Sequence, residues 1–456
     1  MIKYSAQHHN ENNTAKIRSV FLSGLTFEVI LGLLLSLTAF ALSDFLALTL
    51  NRPTLTPLIQ IASFIILAGA LINTATAAFT GIEKMHLNSI MLMTQSLVKT
   101  GLIIGLVILG LGTAGAVMGF TVAVLIAGLT GILLMYAMYK SLPKSTDGKL
   151  ELFSTTKIML KYGLPLSIGS ILTGFLTQFY TYIMAIFVTD NAIIGNYNIA
   201  LNFVVLITFF ASPVTTMLFP AFSKLDYRKD QETLKNVFQF SVKYAALIVV
   251  PVTAMVMALA QPAIGTIFPD DYVQAPLFLA LLSISYLYSA LGNLSTGNLI
   301  NGQGYTTYNL KLGVLNAIIG FPLGFILVSQ FGIIGLIVTS LTVGLPSFFL
   351  SLRFIKTHFG VSVDWVSSAK ILFSSALTAV LTYLLIAPLP FSSPIQLAVG
   401  VVVFVVIFLA AAVLTRTINR ADIVNIREIA NALGPLRKPL TWLLNLIEGL
   451  MNRLHT

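Results

Sequence analysis

There is no cysteine anywhere in the 456 residues, which excludes disulfides, thiolate metal sites and a thiol nucleophile. Charge is also scarce. Asp, Glu, Lys and Arg make up 9% of the chain, against roughly 25% in soluble domains, too little to cover a water-facing surface. An apolar leader core is missing too, because Met1 to Ala15 carries Gln7, His8, His9, Asn10, Glu11, Asn12 and Asn13, so no cleaved signal is expected. No spacing of His, Asp and Glu suggests a metal site, and no nucleotide-binding loop is present. Gly110-Leu-Gly-Thr-Ala-Gly115 spells a dinucleotide fingerprint, but it falls at a turn between apolar helices with no strand before it.

What the chain has instead is hydrophobic length. Apolar residues make up 57% of it, and continuous runs recur from Val20 to Leu414. Runs of roughly 20 residues match the hydrocarbon core of a bilayer. The expectation is an all-α polytopic membrane protein of about twelve transmembrane helices. They are placed at 19–43, 56–79, 89–110, 114–139, 158–187, 192–219, 236–260, 273–299, 309–330, 333–355, 367–387 and 394–415. Prolines 165, 213 and 251 fall inside these segments, where each removes a backbone hydrogen bond and favours a bend. Gly101-x-x-x-Gly105 and Gly320-x-x-x-Gly324 suit close helix packing.

The net charge of +10 does not point to nucleic acid, because the basic residues are scattered through short loops rather than gathered in one patch. Their distribution alternates. Lys3, Lys16 and Arg18; Lys84; Lys140, Lys144, Lys149 and Lys157; Lys224, Arg228, Lys229 and Lys235; Lys311; Arg353 and Lys356; and the tail from Arg416 fall on one side, and only Arg52 on the other. By the positive-inside rule the basic side is cytoplasmic and both termini lie there, in a cell membrane. The outer loops are short and carry Asp44, Asp190, Asp270 and Asp271.

The chain accordingly divides into a cytoplasmic segment (1–18), a lobe of four helices (19–140), a cytoplasmic linker (141–157), a lobe of six helices (158–357), two additional helices (367–415) and an amphipathic cytoplasmic tail (416–456). In the tail, Trp442, Leu443, Leu446, Ile447, Leu450 and Leu454 fall on one side of an interfacial helix.

An internal repeat links the lobes. Phe79-Thr-Gly-Ile-Glu-Lys-Met-His-Leu-Asn88 parallels Ile300-Asn-Gly-Gln-Gly-Tyr-Thr-Thr-Tyr-Asn309, 221 positions later, and Gly112-Thr-Ala-Gly115 parallels Gly332-Ile-Ile-Gly335, 220 positions later. A parallel repeat of this kind predicts two pseudo-symmetric bundles with the substrate site between them. Extrapolated backwards, the helices at 158–187 and 192–219 have counterparts only before Met1. The expectation is that a first hairpin of the usual fourteen helices is missing, through truncation, a misassigned start or a genuine twelve-helix form.

Lys161-Tyr-Gly-Leu-Pro-Leu-Ser-Ile-Gly-Ser170, Gly195-Asn-Tyr-Asn-Ile-Ala200, Leu218-Phe-Pro-Ala-Phe-Ser-Lys224 and the N-terminal Tyr4-Ser-Ala-Gln resemble segments of the polysaccharide-export flippases. That family belongs to the multidrug, oligosaccharidyl-lipid and polysaccharide exporter superfamily. The resemblance implies two six-helix lobes, two further helices and movement of polyprenyl phosphate- or diphosphate-linked sugars between leaflets of the lipid bilayer, with H+ or Na+ as a coupling ion. It implies no cofactor and no enzymatic activity. One departure concerns coupling: an acidic residue often found about fifteen positions before the Gly of the Gly-x-Tyr element is absent, with Tyr180 or Thr181 in its place. Alternatives are a multidrug or toxic-compound extruder of the same fold, which would favour an acidic cation site, and a membrane polysaccharide polymerase or ligase, which would favour a large outer loop.

Ionisable groups at membrane depth mark cavities or partners. Glu28 and Lys99 share a depth of about 15 Å from the basic side, at 1.5 Å per helical residue. Either they pair and tie two helices, or Lys99 offers a point charge to a diphosphate with Glu28 tuning it or carrying a proton. Lys161, Lys235 and Lys243, nearer the helix ends, either recruit the anionic head group or snorkel to the interface. For sugar hydroxyls the candidates are Gln95, one turn from Lys99, together with Gln178, Tyr180 and Tyr182, where Gln178 and Tyr182 share a helix face. Helix-to-helix hydrogen bonds explain these side chains equally well.

Overall fold

The computed structural model describes residues 1–11, 13–141, 152–223, 225–268, 271–419 and the single positions 422, 423, 427, 445, 448 and 449. Backbone groups in lipid are satisfied either within a helix or between the strands of a closed barrel, and every regular element among the described residues is a helix. These are α1 (Ile2–Asn10), α2 (Thr14–Ala41), α3 (Ser43–Thr49), α4 (Thr56–Gly81), α5 (Met85–Leu106), α6 (Gly112–Ser141), α7 (Leu152–Phe187) and α8 (Asn191–Ser223). They are followed by α9 (Gln231–Ala258), α10 (Ala260–Ile267), α11 (Ala275–Leu287), α12 (Asn293–Gly302), α13 (Thr306–Thr342), α14 (Gly344–Phe359), α15 (Trp365–Ile386) and α16 (Ser393–Leu414). The predicted linker at 142–151, the tail helix around Trp442, and the side chains of Lys161, Pro165 and Pro213 lie outside the described residues.

Eight described stretches are long and apolar enough to cross a membrane, or nine with Ala275–Leu291 and Asn293–Gly302 taken as one span bent by 55°. The protein is a multi-pass membrane protein. Two of the eight, Met85–Ser141 with 57 residues and Thr306–Phe359 with 54, far exceed the roughly 20 residues of one crossing. Each is broken by a glycine in a conformation closed to other L residues: Gly112 at φ 51°, ψ −133° and Gly332 at φ 55°, ψ −129°. Each is therefore long enough for two crossings.

Two compact units, Met1–Ile171 and Leu172–Thr456, divide the chain. In the first, α4 packs against α2 and α6, and α5 packs against α6. The segment read as a plain cytoplasmic stretch is partly helical, with α1 against α2 and α4. Small residues permit the close approach: a Cβ on Gly32 would meet Ala70, and one on Gly128 would meet Leu71 and the Ala68 carbonyl. Between the helices lie Phe21, Phe79, Met91, Met135 and Met138. In the second unit α9 packs against α8, α11 and α15, and α16 packs against α10 and α15. Its core joins Ile183, Ile207, Val249, Leu279 and Val328. Some buried hydroxyls here bond to the preceding turn, as Thr253 does to the Val249 carbonyl at 2.7 Å and Thr339 to Gly335 at 2.7 Å.

The repeat extends to individual hydrogen bonds. Before α5, Lys84 N–H donates to the Phe79 carbonyl at 2.9 Å; 221 positions later, before α13, Tyr305 N–H donates to Ile300 at 3.0 Å. The turn residue has positive φ in both copies, Glu83 at 60° and Gly304 at 85°. Asn88 accepts from the Thr76 hydroxyl across the turn at 2.9 Å, while Asn309 donates to Asn301 at 2.7 Å and to the carbonyl of Gly297, the position matching Thr76, at 3.4 Å. A Cβ on Gly115 would strike the Leu106 backbone, and one on Gly335 would strike Leu327, the glycines 220 and the leucines 221 positions apart. The two glycine pairs flagged for close packing part company: Gly320 and Gly324 face Tyr180, whereas nothing lies within 4 Å of a Cβ built on Gly101 or Gly105.

Candidate functional site

Within the second unit, α7, α8 and α13 leave a cavity of about 540 Å³, whose lining continues to Val343 and Gly344. Apolar side chains such as Leu176, Met184, Leu201 and Leu336 form much of its wall. Thr177, Tyr180, Thr181, Tyr197, Asn198, Asn316 and Ser340 supply the polar part. None of the described lining residues is ionisable as an acid or a base in the physiological range. A second cavity in this unit, about 560 Å³, is lined by apolar residues of α8 to α11 and α16 with Asn202 as its one polar side chain, and it offers little to a polar ligand.

Sequence dictates the polar cavity at two points. Gly320 and Gly324 fall one turn apart on α13, and ideal Cβ atoms there would come within 2.5 Å of the Tyr180 hydroxyl and 2.6 Å of its ring. The glycines thus form a slot for this ring. The hydroxyl is buried and has no hydrogen-bond partner among the described residues, an uncommon state for a buried polar atom. Phe179 and Phe321 support the same helix pair, with centroids 4.9 Å apart.

The second point is Gly195-Asn-Tyr-Asn198 at the start of α8. Asn196 is buried and structural: its Oδ1 accepts from the N–H groups of Gln274 and Ala275, both at 2.9 Å, closing the start of α11, while its Nδ2 donates to Ala192 at 2.8 Å. That leaves Tyr197 and Asn198 to the cavity. Across from them, Asn316 accepts from the Ser347 hydroxyl through Oδ1, and its Nδ2 donates to no described residue.

Of the side chains singled out from the sequence, Tyr180 lines this cavity. Gln178 and Tyr182 share α7 with it but are exposed on another face. Gln95, Lys99 and Glu28 belong to the first unit. Lys99 and Gln95 are half-buried one turn apart on α5, where Asn88, Ser96 and Thr100 extend a polar stripe. Glu28 is half-buried on α2, and its charge neighbour is the Met1 amino group. Glu28 and Lys99 form no ion pair with each other; those among the described residues are His8–Glu11, Lys243–Asp422 and Arg427–Glu448.

Lys243 does not snorkel. Its ammonium binds both carboxylate oxygens of Asp422 at 2.6 and 2.8 Å, and the Asn419 N–H donates to the same carboxylate at 2.8 Å. With Asp422 2% exposed and Lys243 13% exposed, this pair ties the segment after α16 to α9, joined by Ile418 and Ile423 in an apolar cluster with Leu247 and Val413.

The sequence reading missed Asn316, Tyr197, Asn198 and Ser340. A signal existed for the first: Asn316 stands 221 positions after Gln95, so the repeat maps one polar candidate onto the other.

Residues 5–277, more than half of the chain, match the model of the polysaccharide biosynthesis proteins. The chain belongs to that family. Among curated relatives, an uncharacterized membrane protein of Methanocaldococcus jannaschii is 26% identical over 207 residues, covering 44% of this chain and 40% of the relative. The lipopolysaccharide biosynthesis protein WzxC of Escherichia coli K12 is 25% identical over 308 residues, covering 64% of this chain and 58% of the relative. The chain thus spans about half the length of the curated relatives it matches. Among solved structures, the lipid II flippase MurJ in an inward closed conformation superposes with a TM-score of 0.69 at 14% identity, over 91% of this chain and 89% of that one. An inward-facing multidrug resistance transporter of the MATE family, in the MOP superfamily, gives 0.60 at 16% identity, over 78% and 85%. At these identities the structures establish the fold alone, a MurJ- and MATE-like helical architecture.

Proposed function

We propose that this protein is a flippase that moves polyprenyl phosphate- or diphosphate-linked saccharide precursors across the cytoplasmic membrane. Family membership supports the saccharide class, and the lipid II flippase fold supports translocation. The observation that carries the reading is the uncharged cavity around Tyr180, with its unused donors, in a chain whose other unit places Lys99 among polar side chains on α5. A saccharide needs hydrogen-bonding groups beside flat apolar faces, and a diphosphate needs a cation. Lys99 and Gln95 are assigned to the diphosphate end and Tyr180 to the sugar. Gln178 and Tyr182, on the exposed face of α7, are secondary candidates.

Glu28 is the one carboxylate in this set, and coupling to H+ or Na+ through it is tested by imposing either gradient across the same vesicles. The alternating basic loops support a cytoplasmic-membrane location with both termini inside. Extrusion of cationic drugs by the same fold is the second reading, favoured by the MATE-like superposition and opposed by the lack of a carboxylate in the described lining of the cavity.

The test is purified protein in proteoliposomes carrying a fluorescent polyprenyl diphosphate saccharide. Flipping well above that of protein-free vesicles, with no efflux of a cationic dye, is expected. Dye efflux without lipid flipping would replace the reading with drug export.

A further inference from the structure

We infer that the cavity between α7, α8 and α13 selects for uncharged, hydroxyl-rich sugar units and rejects sugars that carry a carboxylate; this rests on the flippase reading and specifies its substrate class. Three observations converge. First, every polar side chain in the described lining is a hydroxyl or a carboxamide, such as Thr177, Thr181, Asn198 and Ser340. A uronate entering this cavity would meet no cation among the described lining residues, and burying a charge without a partner is costly.

Second, two donors at the cavity wall are unused. The Tyr180 hydroxyl, buried against Gly320, has no partner among the described residues and reaches a ligand only if its ring turns toward the cavity. The amide nitrogen of Asn316 donates to no described residue, because Ser347 fixes the side chain through its oxygen. Sugar hydroxyls accept from such groups and donate to carboxamide oxygens such as that of Asn198. Third, the space is held open rather than left over by loose packing. Gly320 and Gly324 hold the Tyr180 ring against α13, where any Cβ would push it away. At about 540 Å³ the volume falls within the range of sites for small ligands.

Two readouts test this. In proteoliposomes, two polyprenyl diphosphate disaccharides that differ only in a terminal glucose or glucuronate are compared. The neutral lipid should flip at least tenfold faster, and Asn316→Lys should narrow or reverse that ratio by giving the carboxylate a partner. Separately, because the chain has no cysteine, Ser340→Cys creates a single thiol in the cavity. The neutral lipid should slow its maleimide labelling several-fold, and the glucuronate lipid should not. Equal flipping of both lipids with no change in Asn316→Lys, or equal protection by both, overturns the proposal. Protection by the neutral lipid alone in a chain that flips neither would uphold the selective site and remove the flippase reading instead.

Discussion

Two lysines on membrane-crossing helices are handled in opposite ways. In the second unit, Lys243 is neutralised by Asp422 through two short contacts, and the pair is closed off by an apolar cluster. In the first, Lys99 is half-buried on α5, with neither hydrogen bond nor ion pair among the described residues. A cation at membrane depth without a counter-charge costs at least about 2.5 kcal/mol; the paired lysine has its counter-charge built in, and Lys99 is the one proposed to take its counter-charge from a diphosphate. The repeat sharpens the contrast. Position 320, 221 residues after Lys99, is a glycine, and the space it leaves is filled by Tyr180. One unit keeps a charge at this position and the other keeps a neutral aromatic hydroxyl.

The largest effect that could break the comparison is at the paired lysine. Removing one partner of a buried pair strands the other and costs about 3–5 kcal/mol. Asp422→Ala should therefore lower the thermal midpoint in detergent markedly, while Lys99→Ala should leave it nearly unchanged. Equal losses in the two variants would mean that Lys99 is also structural. For transport the order reverses: at matched protein levels, Lys99→Ala should reduce flipping tenfold or more, equivalent to about 1.4 kcal/mol, and Lys99→Arg should retain much of it.

Smaller effects separate the glycine pairs. Gly320→Ala drives the Tyr180 ring toward the cavity and should cost about 1–3 kcal/mol of stability, with slower flipping. Gly101→Ala and Gly105→Ala, built into open space, should be neutral or stabilise slightly through helix propensity. Parallel losses at all four glycines would place a neighbour against α5. The smallest expected difference is at the repeated turn. Glu83 adopts φ 60° and Gly304 φ 85°, so Glu83→Gly should relieve up to about 1 kcal/mol of strain while Gly304→Ala adds about that much, read as opposite shifts in thermal midpoint.

Much of this architecture was legible in the sequence because lipid leaves the backbone few choices. The helices follow from apolar length, and the breaks at Gly112 and Gly332 follow from glycines recurring at a fixed offset where charge changes sides. Asn88 and Asn309 could be matched from spacing alone, and each bonds back across its turn, Asn88 as acceptor and Asn309 as donor. The site was only partly legible. Tyr180 is legible as an aromatic hydroxyl inside an apolar helix, but helical periodicity does not say which face of α7 meets a cavity, and so does not separate it from Gln178 and Tyr182. Gly320-x-x-x-Gly324 announced a close approach without saying that a tyrosine ring fills it. The Lys243 and Asp422 pair joins residues 179 positions apart, beyond the reach of any local pattern, so Lys243 read as an interfacial anchor.

The most direct test of this division of labour is competition by polyprenyl diphosphate without its sugar, measured as inhibition of labelled-lipid flipping by the unaltered chain, Lys99→Ala and Tyr180→Phe. If Lys99 holds the diphosphate and Tyr180 the sugar, the competitor should lose potency at least tenfold against residual flipping by Lys99→Ala and keep it against Tyr180→Phe. Unchanged potency against Lys99→Ala, or an equal loss against both, would contradict the account.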